Sequence, residues 1–210
     1  MSTATLPPIP SDAPPVNIYP TSIQLLPAVP MTQDQFFDFC QQNPDKKFER
    51  TAEGELIIMP PVGLDGGLNE GEVYRQLANW TIAVGKGKAT NSNVGYILPD
   101  GANRAPDASW LAPEQMALLT AEQRRKFPPL CPFFLIEVRS PSDSLKKLQE
   151  KMDEYIANGC QLGWLIDQET KQVHVYRPGQ PVQVLDNPQT VSGDAELPGF
   201  VLDLEPVWRP

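Results

Sequence analysis

Two acidic residues lie at positions where a carboxylate is costly to leave unpaired. Asp107 follows Pro106 at the start of a strand pattern, and Glu137 lies within the apolar run from Phe133 to Val138. A buried carboxylate needs a partner, because removing an unpaired charge from water is unfavourable. Two carboxylates on adjacent strands form a hard-oxygen site that suits Mg²⁺, whose other positions water and phosphate oxygens fill. Since such an ion polarises a phosphoryl group and activates water, the pattern is typical of phosphodiester hydrolysis.

A plain structural explanation of Glu137 stays open at this point. Arg139 lies two residues further on, and therefore on the same face of the strand, so the two side chains could form a core ion pair. In that case the chain is a structural protein, and Glu137→Gln lowers its stability and changes nothing else.

A lysine in the following helix adds a third candidate. The pattern predicts a helix over residues 144–158, and Lys151 lies three residues after Leu148 and four before Tyr155, beside the apolar stripe. Its ammonium group either extends to solvent or reaches back to the two carboxylates. There it would orient a water or neutralise phosphate charge.

The elements that must position these groups are those of an α/β domain. Helices are predicted over residues 32–42, 69–84 and 144–158, with one or two short helices in 112–127. A hairpin is predicted over 48–59, and further strands at 93–98, 108–111, 133–138, 163–167, 172–177, 182–185 and 200–204. Residues 63–67 are interpreted as a flexible entry to the helix at 69–84. Ser142 or Asp143 is the expected cap of the helix at 144–158.

Three ordered motifs resemble the bacterial putative restriction endonuclease family, which belongs to the PD-(D/E)XK nuclease superfamily. They are Arg104-Ala-Pro-Asp107, the segment from Phe134 to Asp143 that contains Glu137, and the segment from Lys151 to Asp167. The resemblance covers residues 30 to 205, and the order of its motifs makes it specific. It implies a restriction-endonuclease-like core, with a central mixed β-sheet flanked by helices and an N-terminal hairpin.

The resemblance also implies an activity, that of a Mg²⁺-dependent endonuclease acting on DNA, with Mn²⁺ able to substitute. Asp107 and Glu137 would bind the metal, and Glu70 on the first core helix would be a further ligand. The superfamily lysine stands two residues after the acid, where this chain has an arginine; in this family it lies on the next helix, which makes Lys151 the third catalytic residue. The basic side chains expected to contact phosphate are Arg139, Arg104 and Lys147.

A second functional hypothesis is a nuclease fold that has lost catalysis and serves as a binding or regulatory module. Its motivation is the arginine at position 139, which stays protonated and cannot act as a base. The net charge of −9, from 17 basic and 26 acidic residues, also argues against nucleic-acid binding through overall basicity. Residues 101–150 nevertheless carry seven basic and six acidic side chains, so the motif region is nearly neutral.

Residue counts exclude several other classes of site. The single histidine, His174, rules out a His-rich metal site and is interpreted as a surface or edge-strand residue. The three cysteines, Cys40, Cys131 and Cys160, have no CxxC spacing, so they predict small buried hydrophobes instead of a disulfide framework or a zinc site.

The first thirty residues differ in composition from the rest. They hold eight of the 24 prolines, so we predict a proline-rich arm over 1–30 and a single domain over 31–210. No secretory signal and no apolar run of bilayer length is apparent, which predicts a cytoplasmic protein without a membrane partner. Because cutting a duplex takes two strand cleavages, a homodimer through the apolar C-terminal strands is expected.

Overall fold

The computed structural model describes residues 31–141 and 143–209, so the predicted proline-rich arm lies outside the described residues. The helices are Gln33–Gln42 (α1), Leu64–Val84 (α2), Pro113–Leu118 (α3), Leu145–Ala157 (α4) and Glu205–Trp208 (α5), with a 3₁₀ turn at Gln123–Arg125. The strands are Lys47–Arg50 (β1), Leu56–Met59 (β2), Lys88–Asn91 (β3), Tyr96–Ile97 (β4), Asn103–Arg104 (β5), Ala108–Leu111 (β6), Phe134–Arg139 (β7), Leu162–Asp167 (β8), Gln172–Tyr176 (β9), Gln183–Asp186 (β10), Thr190–Ser192 (β11) and Val201–Asp203 (β12).

A six-stranded mixed sheet in the order β10-β9-β8-β7-β6-β3 forms the centre of the domain. Strand β7 pairs in parallel with β8 and antiparallel with β6. Helix α2 packs on one face of this sheet and α4 on the other, each over its own hydrophobic core. This arrangement confirms the predicted α/β fold with a central mixed sheet flanked by helices.

The alternation of side chains along β7 decides which face each residue serves. Phe134 and Ile136 belong to the core under α2, whereas Leu135 belongs to the core under α4. Because successive strand residues point to opposite faces, Glu137 points the same way as Leu135. The strand therefore directs the Glu137 carboxylate toward α4.

A second sheet, in the order β2-β1-β5-β4, contains the predicted N-terminal hairpin. In this hairpin Phe48 lies opposite Ile58, and Arg50 of β1 lies opposite Asn103 of β5. Strand β5 leads directly into the Pro106-Asp107 segment. The hairpin is thus tied to the part of the chain that carries the first candidate carboxylate.

The predicted helices are present, with differences at two of their starts, and the short helix α5 was not predicted. Helix α2 begins at Leu64, so the interpretation of residues 63–67 as a flexible entry is wrong. Glycine weakens a helix by about 1 kcal/mol per residue, but the burial of Val73 and Leu77 anchors this one. The cap of α4 is Ser144, which accepts a hydrogen bond from the Lys147 amide, so the prediction of Asp143 as the cap is wrong. Ser142, the alternative cap, lies outside the described residues.

Short polar strands account for most of the elements that were not predicted. Strands β3, β5 and β11 carry few apolar residues, so no alternation marks them. The prediction for His174 is wrong, because β9 lies between β8 and β10 and this side chain is 6% exposed. Cys131 and Cys160 are buried thiols, as expected, whereas Cys40 is only half-buried.

Candidate active site

The predicted carboxylates and lysine meet at one edge of the central sheet. The Lys151 ammonium of α4 lies 2.8 Å from Oε1 of Glu137 on β7. One helical turn further on, the Tyr155 hydroxyl donates to the same oxygen at 2.9 Å. Asp107, directly before β6, accepts a hydrogen bond from the Val138 amide at 2.7 Å. The structure therefore brings Asp107, Glu137 and Lys151 together around neighbouring strands.

The simple ion pair between Glu137 and Arg139 is not formed. Parallel pairing of β7 with β8 places Arg139 opposite Asp167, and its guanidinium contacts both oxygens of that carboxylate, at 3.0 and 3.1 Å. Glu169 binds the same nitrogen at 2.7 Å. Arg139 thus links the ends of two strands, and the cation that faces Glu137 is Lys151.

A third buried carboxylate, Glu49 of β1, completes the site and was not predicted. Its Oε1 accepts from Lys151 and from the Ala105 amide, both at 2.9 Å. Its Oε2 accepts from Arg104 at 3.2 Å. Glu49 is 3% exposed, so these donors replace its hydration.

Arg104 closes a ring of charges between the second sheet and α4. Its guanidinium binds Glu49 on one side and, through Nε and Nη2, the carboxylate of Glu154 on the other. Glu154 and Lys151 lie three residues apart on α4, on the same side of the helix. Both side chains are bound by residues of the hairpin sheet. The ring fixes the direction of Lys151.

Burial and charge move the pKa values of these groups in opposite directions. Burial, together with the charges of Glu137 and Glu70, holds the pKa of Asp107 well above its usual value. Burial also raises the pKa of Glu137, although the Lys151 ammonium opposes it. For Glu49, burial acts upward but the charges of Lys151 and Arg104 prevail, so its pKa is lowered.

The lysine itself is held as a cation. Burial acts to lower the pKa of Lys151, but the carboxylates of Glu137 and Glu49 outweigh it and raise the pKa above its usual value. The Tyr155 hydroxyl, which burial and the charge of Glu137 make hard to ionise, has a pKa well above its ordinary range and acts as a hydrogen-bond donor.

The chemistry of the donor set fits a divalent ion held by two carboxylates. Oδ1 of Asp107 and Oε2 of Glu137 form no hydrogen bond with the described residues, so each carboxylate keeps one oxygen for a ligand. The mutual repulsion that raises the pKa of Asp107 would be relieved by a cation between them.

Within the described part of the chain, no three His, Cys, Asp or Glu side chains are grouped closely enough to hold a metal by themselves. Glu70, the expected further ligand, lies near enough to raise the pKa of Asp107 but does not complete such a group. A bound ion would therefore take its remaining ligands from water and phosphate, as Mg²⁺ ordinarily does.

The three basic residues expected to contact phosphate occupy different environments. Arg104 is 7% exposed and bound by Glu49 and Glu154, and Arg139 is bound by Asp167 and Glu169. Carboxylates already occupy both guanidinium groups, so neither arginine is placed to bind phosphate as expected. Lys147 is exposed on the first turn of α4.

Sequence reasoning missed Glu49 and the hydroxyl of Tyr155. The only local signal for Glu49 is the charged pair Glu49-Arg50 in a four-residue strand of a hairpin whose other strand is apolar. Tyr155 was interpreted as part of an apolar stripe; its ring is indeed buried, and its hydroxyl reaches Glu137.

Comparison with known proteins identifies the family and a similar fold. The family model described as "Uma2: Putative restriction endonuclease" matches residues 33–205. A crystal structure of a putative nuclease belonging to DUF820 from Anabaena variabilis ATCC 29413 has a similar fold, with a TM-score of 0.70 and 22% identity over 85% of this chain and 98% of that chain. No curated protein matches the chain. No described helix is long and apolar enough to cross a membrane. The chain belongs to the Uma2 putative restriction endonuclease family.

Proposed function

We propose that this protein is a Mg²⁺-dependent endonuclease that hydrolyses phosphodiester bonds of DNA. The observation that carries the proposal is the meeting of two buried carboxylates, Asp107 and Glu137, each with a free oxygen, beside the paired ammonium of Lys151. Membership of the family described as "Putative restriction endonuclease" supports the same conclusion.

The side chains divide the work of such a reaction. Asp107 and Glu137 would hold the ion, and when bound there Mg²⁺ supplies polarisation of the phosphoryl group and a more acidic water. Lys151 contributes positive charge where negative charge grows on the phosphate oxygens. Tyr155 and Glu49 keep the Glu137 carboxylate and the Lys151 ammonium in fixed directions through their hydrogen bonds.

The test combines metal binding with DNA cleavage. The wild-type protein should be stabilised by Mn²⁺ or Mg²⁺ in thermal unfolding and should nick supercoiled plasmid in the presence of either ion. Asp107→Asn and Glu137→Gln, which preserve shape, should remain folded and lose both properties. Glu196→Gln serves as a control, because that residue pairs with Arg177 away from the site.

The result also separates the competing hypotheses. Binding of DNA without metal dependence and without cleavage would point to the binding or regulatory module. Loss of stability in Glu137→Gln, with no metal binding in any variant, would point to a purely structural role. Either outcome would overturn the proposed activity.

The proposal includes a homodimer, because two copies related by a two-fold axis would present one active site to each strand of a duplex. The C-terminal strands offer a surface: Val182 and Val184, at the edge strand β10, are 42% and 49% exposed. Light scattering coupled to size exclusion should give twice the mass of 23.3 kDa. Val184→Lys should shift the protein to the monomer mass. A monomer mass for the wild-type protein at the concentration used for the nicking assay would contradict this part of the proposal.

A further inference from the structure

A cavity of about 270 Å³ opens beside the candidate active site. Its lining includes Lys46, Lys47 and Phe48 from the start of β1, Ser92 and Asn93 after β3, and Phe127 before β7. None of these residues has a part in the catalytic group described above. Their types, two cations, two aromatic rings and polar side chains, are those that bind a nucleotide.

The cavity adjoins the active site at Ala105. Ala105, which lies two residues before Asp107, also lines it, and the Ala105 amide donates to the same Glu49 oxygen that holds Lys151. Among the other lining residues, the Lys47 ammonium donates to Ser92 at 2.8 Å. A molecule in the cavity therefore lies next to the segment that leads into Asp107.

The charge of the cavity is positive, although the chain as a whole carries −9. Lys46 and Lys47 are its charged lining residues, and neither lies within salt-bridge distance of a carboxylate among the described residues, although the charge of Lys47 acts on Glu70. A second cavity, near α1, differs in this respect, because it is lined by Asp34 and Glu122 and its one lysine, Lys126, is bound to Asp34 at 2.7 Å. Only the cavity beside the active site, of these two, suits an anion such as phosphate.

The aromatic walls are held in place by packing. The Phe127 ring lies edge-on to Phe37 at 5.0 Å between centroids, and the Phe48 ring packs on Phe39 at 4.9 Å. At Gly95 an added Cβ would come within 2.9 Å of the Phe127 ring, so the glycine lets the backbone lie on that ring. Fixed rings of this kind are suitable for stacking against a base.

Polar groups for reading a base edge are also present. The side-chain amide of Asn93 is exposed and forms no hydrogen bond with the described residues, while its backbone amide donates to Oδ1 of Asn91. An amide offers both a donor and an acceptor, as base edges do.

We propose that this cavity binds a single unpaired nucleotide of the substrate, adjacent to the scissile phosphate. This inference rests on the proposed nuclease function and narrows its substrate to DNA that is single-stranded or locally unpaired. The volume lies just below the range of about 300–1,000 Å³ typical of small-ligand pockets, so it accepts one nucleotide and no base pair. A duplex must open to place a base there, which costs unstacking energy that a single strand does not require.

The experiment measures binding separately from cleavage. Full-length protein carrying Glu137→Gln is titrated, without divalent metal, against fluorescein-labelled strands of about 12 nucleotides, and anisotropy gives Kd. Three probes are compared: a mixed-sequence single strand, the same strand with abasic sites throughout, and a hairpin duplex. Lys46→Ala/Lys47→Ala is compared with Lys86→Ala/Lys88→Ala, which removes two exposed lysines outside the cavity.

The single strand should bind at least about fivefold more tightly than either the abasic strand or the duplex, because both the base and its freedom from pairing are needed. The cavity variant should weaken single-strand binding by about tenfold or more, and the control by less than about threefold. Equal affinity for the base-bearing and abasic strands, or equal losses in the two lysine variants, would overturn the inference.

Failure of this inference can be told apart from failure of the proposed function. Suppose that Glu137→Gln abolishes metal-dependent nicking and that single-strand binding is unchanged in the variant of the cavity lysines. That result refutes the nucleotide-binding cavity and supports the nuclease function. Base-dependent binding without nicking in any variant refutes the nuclease and leaves a nucleotide-binding cavity.

Discussion

Glu49 should be as important as the predicted catalytic residues, although it lies in an N-terminal hairpin far from them in sequence. The perturbation is Glu49→Ala, which removes a carboxylate that is 3% exposed and that accepts from Arg104, Ala105 and Lys151. Breaking a buried ion pair by removing one partner costs about 3–5 kcal/mol, because a charge is left without compensation.

The structure places the expected value at the lower end of that range. Lys151 keeps Glu137 and Arg104 keeps Glu154, so neither cation is left alone. We therefore expect Glu49→Ala to lower the free energy of unfolding by about 3 kcal/mol. Glu49→Gln keeps the shape but turns one acceptor oxygen into a donor that faces other donors, so we expect about 2 kcal/mol.

Urea unfolding followed by tryptophan fluorescence measures both values by linear extrapolation. The matched control is Glu196→Gln, which breaks the more exposed pair with Arg177, whose side chain is 18% exposed, and should cost less than about 1 kcal/mol. A decrease below about 1 kcal/mol in the free energy of unfolding of Glu49→Ala would refute the reasoning, because removing one partner of a buried ion pair destabilises a protein by more than that.

The pH dependence gives a second check on the same residue. Burial acts to raise the pKa of Glu49, but Lys151 and Arg104 lower it below its ordinary value of about 4.3. A lowered pKa in the folded state stabilises the protein above the unfolded pKa and loses that contribution as the pH falls. The stability gap between wild type and Glu49→Gln should therefore be full at neutral pH and shrink below pH of about 4.

Three further predictions concern other parts of the site and its scaffold. Burial and Glu137 raise the pKa of Asp107, so the carboxyl group binds its proton more tightly in the metal-free folded state than in the unfolded state. The free energy of unfolding should therefore decline as the pH rises above about 4. Asp107→Asn should remove that decline and raise the midpoint of thermal unfolding at pH 7. Gly87→Ala should lower stability by more than about 2 kcal/mol in urea, because the backbone has φ +69° and an added Cβ would lie 2.4 Å from the Trp110 ring; Gly179→Ala, with the same φ and open space, should cost less. Lys151→Met should abolish plasmid nicking, and adding Arg139→Lys should not restore it, because position 139 faces Asp167 and Glu169. Recovered nicking would show that a lysine at the strand position can replace Lys151.

Much of the central sheet could be predicted because its signals are local. The apolar run of β7 and the stripe of α4 come from burial on both faces of a sheet and on one face of a helix. The same periodicity placed Glu137 and Lys151 near each other, since α4 returns over β7 after a short connection. Their contact at 2.8 Å therefore follows from the apolar periodicity of β7 and α4.

The role of Glu49 could not be predicted, for a physical reason. Its contacts with Arg104 and Lys151 span 55 and 102 residues, and pairing over such distances depends on how two sheets and a helix pack. Arg104 shows the converse problem. Its basic charge beside the Pro-Asp motif suggested a phosphate contact, but composition does not reveal that two glutamates surround it.

The position of the lysine on α4 explains why the hairpin is needed. A lysine two residues after Glu137 would share a strand face with it and be oriented by the sheet itself. In this chain that position holds Arg139, which links the ends of β7 and β8, so the cation that faces Glu137 comes from α4, a helix outside the hydrogen-bonded sheet. Glu49 binds Lys151 directly, and Arg104 binds Glu154 one turn along, so the helix is held at two points by strands that also lead into Asp107. The second sheet therefore holds in place the cation that faces Glu137, which the central strand does not supply.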